Sequence, residues 1–359
     1  LMRLNDLFLR DPFSFPKKEK NKLFNNLILG LNQFHYNNSK EYKKFMNSLG
    51  LIPSDTSDYT NLPFLPINIF KYYDLSSVKK KQIIKTMTSS GTSGQKVSKI
   101  NLDKETSINQ TKVLGGLFKS IMGASRVPMI ILDSESTLNN RNFFSARTAG
   151  ILGFSIFASE KVFALNQDME LNVNLIQSFL KKHSGKKIFF YGFTFIVWEY
   201  FIKALSQKNL NLNLDNFVLI HGGGWKKMLE NQVSNESFKK EIKNVLGNGM
   251  VHDYYGMVEQ TGSINFECEE GFLHTSIFND IIVRRPFDFS IAQKNEIGII
   301  QTLSILPKSY PGISILTEDE GYLVGEDDCR CGRKGKYFKI TGRVRDAEIR
   351  GCSDTFENE

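Results

Sequence analysis

The stretch TSSGTSGQKVSK (Thr88 to Lys99) brings hydroxyls, two glycines and a lysine within a few residues of one another. Gly91 and Gly94 let backbone approach a ligand closely, Thr88, Ser89, Ser90, Thr92 and Ser93 supply hydroxyl and amide donors, and Lys96 adds positive charge. That composition suits a phosphate cradle. No GxxxxGK[ST] string is present, so it is not a Walker A loop, and a polar hairpin is the competing reading. A second constellation, HGGGWKKM (His221 to Met228), sets Gly222, Gly223 and Gly224 directly after an apolar strand. Glycines there let a nucleotide lie against backbone, or serve a tight turn. In DYYGMVEQTG (Asp253 to Gly262), Tyr254, Tyr255 and Gly256 could receive a base while Glu259 holds Mg²⁺. The alternative puts Tyr255 in the core and Glu259 on the surface. Finally, TEDEG (Thr317 to Gly321) and ITGRVRDAEIRGC (Ile340 to Cys352) offer Asp319 to ribose hydroxyls and Arg343 to phosphate or ribose, unless both are merely solvated.

The elements that must position these groups follow from hydrophobic periodicity. Lys22 to Phe34 has a helical apolar period, and NLPFLPINIF (Asn61 to Phe70) reads as a strand or extended ribbon, because residues before proline avoid the helix. The Ser/Thr/Gly loop lies between two apolar runs, the profile of strand, turn, strand. Asp103 to Ile121 reads as a helix, and VPMIILD (Val127 to Asp133) as a buried parallel strand. Helices at Leu171 to Lys182 and Trp198 to Gln207 alternate with strands KIFFYG and NFVLIHGGG, which predicts an α/β fold with a mostly doubly wound sheet. From Gly271 the pattern changes to short strands broken by Gly, Pro and Asp, as in a smaller β-rich subdomain.

The chain has 359 residues, with 46 Lys+Arg against 38 Asp+Glu, a formal net charge of +8. Hydrophobic residues at 41% and charged residues at 23% are close to globular averages and exclude a disordered chain. The lysines lack the aromatic or glycine interleaving of a nucleic-acid module, so no nucleic-acid partner is expected. The greasiest segment, Ile188 to Ile202, is interrupted by Gly192, Thr194 and Glu199, and no membrane span is expected. With no leader-like N-terminus and four irregularly spaced cysteines, the expected location is cytoplasmic. His221 and His252 flank the nucleotide motifs, while His35 and His183 read as surface or core residues. Phe189, Phe190, Tyr191, Phe193, Phe195 and Trp198 could wall an acyl pocket or fill the core.

Taken in order, TSSGTSGQKVSK, HGGGWKKM, YYGMVEQTG, TGRVRD and RGCSDT, with PFLPINIFK (Pro63 to Lys71) ahead of them, resemble the adenylate-forming superfamily. The resemblance is strongest to its fatty-acyl-protein synthetases of bioluminescence, near the phenylacetate-CoA ligases, and spans Pro63 to Thr355. It implies an adenylate-forming large domain over residues 1–342. There Thr88 to Gly94 would wrap ATP phosphates, Gly222 to Gly224 with Tyr254, Tyr255 and Gly256 would hold adenine, Glu259 would hold Mg²⁺, and Asp319 and Arg343 would meet the ribose. Val258 stands where the wider superfamily carries threonine. On this resemblance the superfamily's mobile C-terminal domain, with its catalytic lysine, would be reduced to a tail, 343–359, leaving Lys96 or Lys226 to supply positive charge near the transferring phosphate. In that tail Cys352, in an RGCSD setting beside Arg350, matches the cysteine that accepts the acyl group as a thioester. The implied activity is ATP-dependent fatty-acid activation to acyl-AMP, with transfer to Cys352 and on to a partner protein such as a fatty-acyl reductase, in a hetero-oligomer. Alternatives are an acyl- or aryl-CoA ligase and acyl activation for surface-polysaccharide modification. CRCGR, with Cys329 and Cys331, resembles the CPCGR turn of phenylacetate-CoA ligases; as a zinc site it would need Cys268, His274 or Cys352.

Overall fold

The structure is a computed structural model that describes residues 3–89, 96–124, 126–138, 146–225 and 233–344. These fall into two compact units, one formed by 3–89, 96–120 and 256–344, the other by Ile121–Tyr255.

The first unit opens with α1 (Leu4–Leu7), α2 (Lys17–Asn38) and α3 (Lys40–Ser48). The apolar period of α2 is realised as a buried stripe of Leu23, Phe24 and Ile28. Ser39 ends α2 and caps α3, its side chain accepting from the Tyr42 amide. The proline-bearing stretch that follows is only briefly a strand. β1 (Leu65–Pro66) pairs in parallel with a strand described below before α4 (Ile69–Tyr72) begins. The Ile67 amide adds one more bond, to the Leu316 carbonyl at 3.0 Å, before the chain turns into the helix. β2 (Ile83–Thr88) and β3 (Lys99–Asp103) form the expected antiparallel hairpin, followed by α5 (Lys104–Met122).

The second unit is a parallel sheet. It comprises β4 (Val127–Ser134), β5 (Ala158–Leu165), β6 (Ile188–Phe193), β7 (Leu214–Gly222) and β8 (Gly247–Tyr255), in spatial order β5-β4-β6-β7-β8. β4 and β6 are buried throughout, as their continuous apolar runs require. Side chains alternate across β6. Phe189 and Tyr191 meet Phe154 of α6 (Ala146–Ser155), whereas Phe190 meets Phe201 and Phe217 on the opposite face. That second face is covered by α7 (Val173–Lys182), by α8 (Thr194–Ile196) continuing through a π-helical turn (Val197–Ile202) into α9 (Lys203–Gln207), and by α10 (Asn235–Leu246). Helices on both faces make the sheet doubly wound.

The chain then returns to the first unit as an antiparallel sheet of β9 (Asn265–Glu267), β10 (Leu273–His274), β11 (Asn279–Arg284), β12 (Gly298–Ser304), β13 (Ser314–Glu326) and β14 (Lys336–Arg343). Its order is β11-β12-β13-β14-β10-β9, with β1 on β13. Asp280 lies on β11, the terminal strand of that order, and is buried. One carboxylate oxygen takes Lys20 Nζ at 3.1 Å, and the other takes Lys336 Nζ at 2.7 Å and the Tyr59 hydroxyl at 2.9 Å. Although burial opposes ionisation, the two ammonium groups outweigh it and hold Asp280 down at about 2.

Candidate active site

The first unit carries the hairpin, the carboxylate turn and the acidic-basic strand pair. Thr88 ends β2 opposite Lys99. Just beyond it the Ser89 amide donates to the Ser98 carbonyl at 3.2 Å, and the Ser98 amide returns a bond to Ser89 Oγ at 2.9 Å. These two bonds close the neck of the hairpin, so the Ser89 hydroxyl is engaged as a structural acceptor. Ser90, Gly91, Thr92, Ser93 and Gly94, the rest of the expected phosphate loop, lie outside the described residues. Lys96 is exposed, with its ammonium 5.0 Å from the centre of the Tyr72 ring on α4.

Glu259 sits in a short 3-10 turn, Val258–Gln260, and is only 3% exposed. The surface alternative for this side chain is therefore excluded. Gln260 anchors the turn by donating from Nε2 to the carbonyls of Gly312 (2.8 Å) and Thr302 (3.3 Å). The turn packs against β3, the second strand of the hairpin. Burial, with the Glu259 carboxylate contributing, pushes the Tyr310 phenol up. A buried carboxylate is a hard oxygen donor of the kind Mg²⁺ takes, so the residue fits the ion.

Asp319 and Arg343 are brought together on β13 and β14. The guanidinium Nε lies 3.3 Å from Asp319 Oδ1, and Nη2 donates to Glu318 Oε2 at 2.8 Å. The other Glu318 oxygen accepts from Asn68 Nδ2.

In the second unit the expected glycine and tyrosine motifs meet at the carboxyl ends of parallel strands, where open α/β sheets bind ligands. Gly222 of β7 is in register with Tyr254 of β8. A Cβ added to Gly222 would fall 2.5 Å from Tyr254 Cε1, so the ring lies directly on the glycine backbone. Gly223 and Gly224 follow with φ of +86° and +61°, which side-chain-bearing residues rarely adopt, and the Phe193 ring fills the space a Gly223 Cβ would need. The turn reading of this motif therefore holds, and the missing side chains at Gly222 and Gly223 leave room for two aromatic rings. The Tyr254 hydroxyl is 3.0 Å from that of Tyr191, and Phe154 packs on both rings. Gly150 of α6 makes room for this pair, since its Cβ would overlap the Tyr191 hydroxyl and stand 3.5 Å from that of Tyr254. Tyr255, the last residue of β8, is half-buried. Gly256, the first residue of the returning segment, has space for a Cβ only 3.4 Å from the Ser263 carbonyl oxygen.

The aromatic run divides between the two faces. Phe190 and Trp198 belong to the core beneath α8 to α10, whereas Tyr191 and Phe193 stand on the glycine-walled side. His221 is held by the Thr194 hydroxyl at 3.0 Å from Nδ1, with Phe238 against its ring. One polar pair carried no sequence signal. Arg147 of α6 clasps Asp133 at the end of β4, Nε donating to Oδ2 at 2.6 Å and Nη2 to Oδ1, both side chains buried. Only the position of Asp133 after an apolar run hinted at it. Lys226 and Cys352 lie outside the described residues.

No helix among the described residues is long and apolar enough to cross a membrane. The family described as acyl-protein synthetase, LuxE, matches residues 2–359. The long-chain-fatty-acid–luciferin-component ligase of Vibrio harveyi is 23% identical over 358 residues, covering 97% of this chain and 90% of that protein. Its namesake from Aliivibrio fischeri is 22% identical over 365 residues, covering 98% and 92%. Among solved structures, an open conformation of 2-hydroxyisobutyryl-CoA ligase in complex with 2-HIB-AMP and CoA superposes with a TM-score of 0.72 at 16% identity, over 95% of this chain and 79% of the ligase. The chain therefore belongs to the acyl-protein synthetase, LuxE, family and is a ligase on the adenylate-forming α/β fold.

Proposed function

We propose that this ligase activates a long-chain fatty acid with ATP and passes the acyl group, through Cys352, to a partner protein. The observation that carries the reading is the Gly222–Tyr254 pair. It gives a backbone-walled aromatic surface at the carboxyl ends of parallel strands, in a chain whose family acts on acyl groups.

In this reading a carboxylate oxygen of the fatty acid attacks the α-phosphorus of ATP. The bond from that phosphorus to the bridging oxygen breaks, and acyl-AMP and pyrophosphate result. Tyr254 and the Gly222 to Gly224 backbone receive the adenine, Asp319 accepts from the ribose hydroxyls, and Arg343 orients Asp319 while adding positive charge. Thr88, Ser89 and the loop through Gly94 donate to the phosphates, with Lys96 near the departing pyrophosphate. Glu259 would hold Mg²⁺, which neutralises phosphate charge when bound. The Cys352 thiolate then attacks the acyl carbonyl, AMP leaves with the electron pair of the broken C–O bond, and the thioester is offered to the partner, in chemistry terms an acyl reductase or another acyl acceptor.

Intact mass spectrometry tests this. The full chain is incubated with ATP, Mg²⁺ and a panel of fatty acids without coenzyme A, beside Cys352→Ser. A hydroxylamine-labile gain of one acyl group, absent in the variant, is the expected result. Pyrophosphate release with no mass gain would leave acyl activation standing and move the acceptor off this chain. Product that forms only with coenzyme A, in the Cys352→Ser variant as well, would establish a CoA ligase instead.

A further inference from the structure

Three of the four cysteines converge on one histidine within the first unit, away from the Asp319–Arg343 strand ends. Cys268 follows β9 directly, His274 ends β10, and Cys329 and Cys331 occupy the turn between β13 and β14. Their ligand atoms all lie within 4.8 Å of one another. Cys268 Sγ is 3.9 Å from Cys329 Sγ, and Cys331 Sγ is 3.4 Å from His274 Nε2. Around a tetrahedral zinc ion, thiolate sulfurs at ~2.3 Å stand ~3.8 Å apart, and sulfur and imidazole nitrogen stand ~3.6 Å apart. The Cys268–Cys329 and Cys331–His274 spacings match those of such a ligand shell.

We propose that Cys268, His274, Cys329 and Cys331 bind a structural Zn²⁺ ion.

The surroundings are those of a closed site. Cys268, His274 and Cys329 are buried, and Phe272, Val324 and Tyr337 pack around them, with the Tyr337 ring stacked 5.5 Å from His274. Four protein ligands leave no open position, so the site is structural rather than catalytic. Each cysteine turn is built to present its sulfur. The Gly271 amide donates to the Cys268 carbonyl at 2.9 Å, and the Gly332 amide to the Cys329 carbonyl at 3.0 Å. Three thiolates, a neutral imidazole and Zn²⁺ sum to one negative charge, which Arg333 and Lys20 are placed to balance, both acting on His274. The donor set of soft sulfurs with one imidazole in tetrahedral spacing selects zinc over magnesium or calcium. The ion would tie the β9–β10 turn to the β13–β14 turn, joining two segments that strand pairing alone connects through β10 and β14.

The test is metal analysis of the full-length chain purified without chelator. About one zinc per chain is expected, falling at least about tenfold in Cys331→Ser, the half-exposed ligand, and in Cys268→Ser. Because removing a buried cysteine can unfold the chain, a second measurement uses the unaltered protein. Exchange into Co²⁺ should give a thiolate-to-cobalt charge-transfer band and the intense visible bands of a tetrahedral site. A folded chain that holds no zinc and takes up no Co²⁺ would overturn the proposal. So would zinc retained in full by both variants, or a Cys268–Cys329 disulfide in the native protein. These readouts do not depend on the acyl chemistry, so either reading can fail without the other.

Discussion

Asp319 and Arg343 face each other in register across β13 and β14, with 3.3 Å between guanidinium Nε and carboxylate. Arg343 also holds Glu318, so one planar cation fixes two adjacent carboxylates. A lysine cannot span both in the same way. We expect Arg343→Lys to raise the KM for ATP about tenfold, ~1.4 kcal/mol, with a smaller change in kcat. Pyrophosphate exchange at varied ATP checks this, and an unchanged KM would remove Arg343 from nucleotide binding.

Gly222→Ala should act through the Tyr254 ring. The added methyl would stand 2.5 to 2.9 Å from three ring carbons, and the ring is tethered through its hydroxyl to Tyr191. Overpacking of this kind destabilises by about 1–3 kcal/mol. We expect acyl-adenylate formation to fall at least about tenfold in protein that remains folded by near-UV circular dichroism. Wild-type exchange rates would show that the nucleotide lies elsewhere.

Asp280→Asn leaves Lys20 and Lys336 next to one another without their shared carboxylate. Lys20 is buried, so its charge has little recourse to water. Breaking a buried pair by removing one partner costs about 3–5 kcal/mol. Urea unfolding followed by fluorescence should show a lower midpoint at similar slope. A loss below about 1 kcal/mol would mean that the cluster relaxes into solvent.

His35 should make stability depend on pH. Burial drives it down to about 3, despite the Pro307 carbonyl 3.1 Å from Nε2, and Nδ1 lies 2.7 Å from the Ser77 hydroxyl. Between that value and the ordinary 6.5, the unfolded chain binds a proton that the native chain refuses. Stability from this group is complete above about pH 6.5 and drains as pH falls toward 3. About 2 kcal/mol should be lost between pH 7 and pH 5. Comparing urea midpoints of wild type and His35→Gln over that window isolates the contribution. Equal pH slopes would show that His35 does not carry it.

Much of the framework is readable from local pattern. The β2–β3 hairpin follows from two apolar runs around a Ser/Thr/Gly loop, and β4 and β6 from continuous apolar runs, because those signals lie within a few residues. The glycine and tyrosine motifs are also visible, but not their pairing. Gly222 and Tyr254 meet because β7 and β8 are parallel neighbours, a relationship set by the whole sheet. Partners distant in sequence leave no local trace: Arg147 reaches Asp133 from the next helix, and Cys268 meets Cys329 across 61 positions. The 3-10 turn that buries Glu259 is similarly silent, since Gln260 is fixed by carbonyls of Thr302 and Gly312 far along the chain.

The absence of a side chain at Gly150 has an evolutionary corollary. The Tyr191 hydroxyl occupies the volume that a methyl there would claim. Positions 150 and 191 can therefore drift only as a pair. Phenylalanine at 191 would remove that overlap, leaving ring carbon Cζ 3.1 Å from an alanine Cβ at 150, and would also dissolve the hydroxyl link to Tyr254. A chain that keeps the link is thereby tied to glycine at 150.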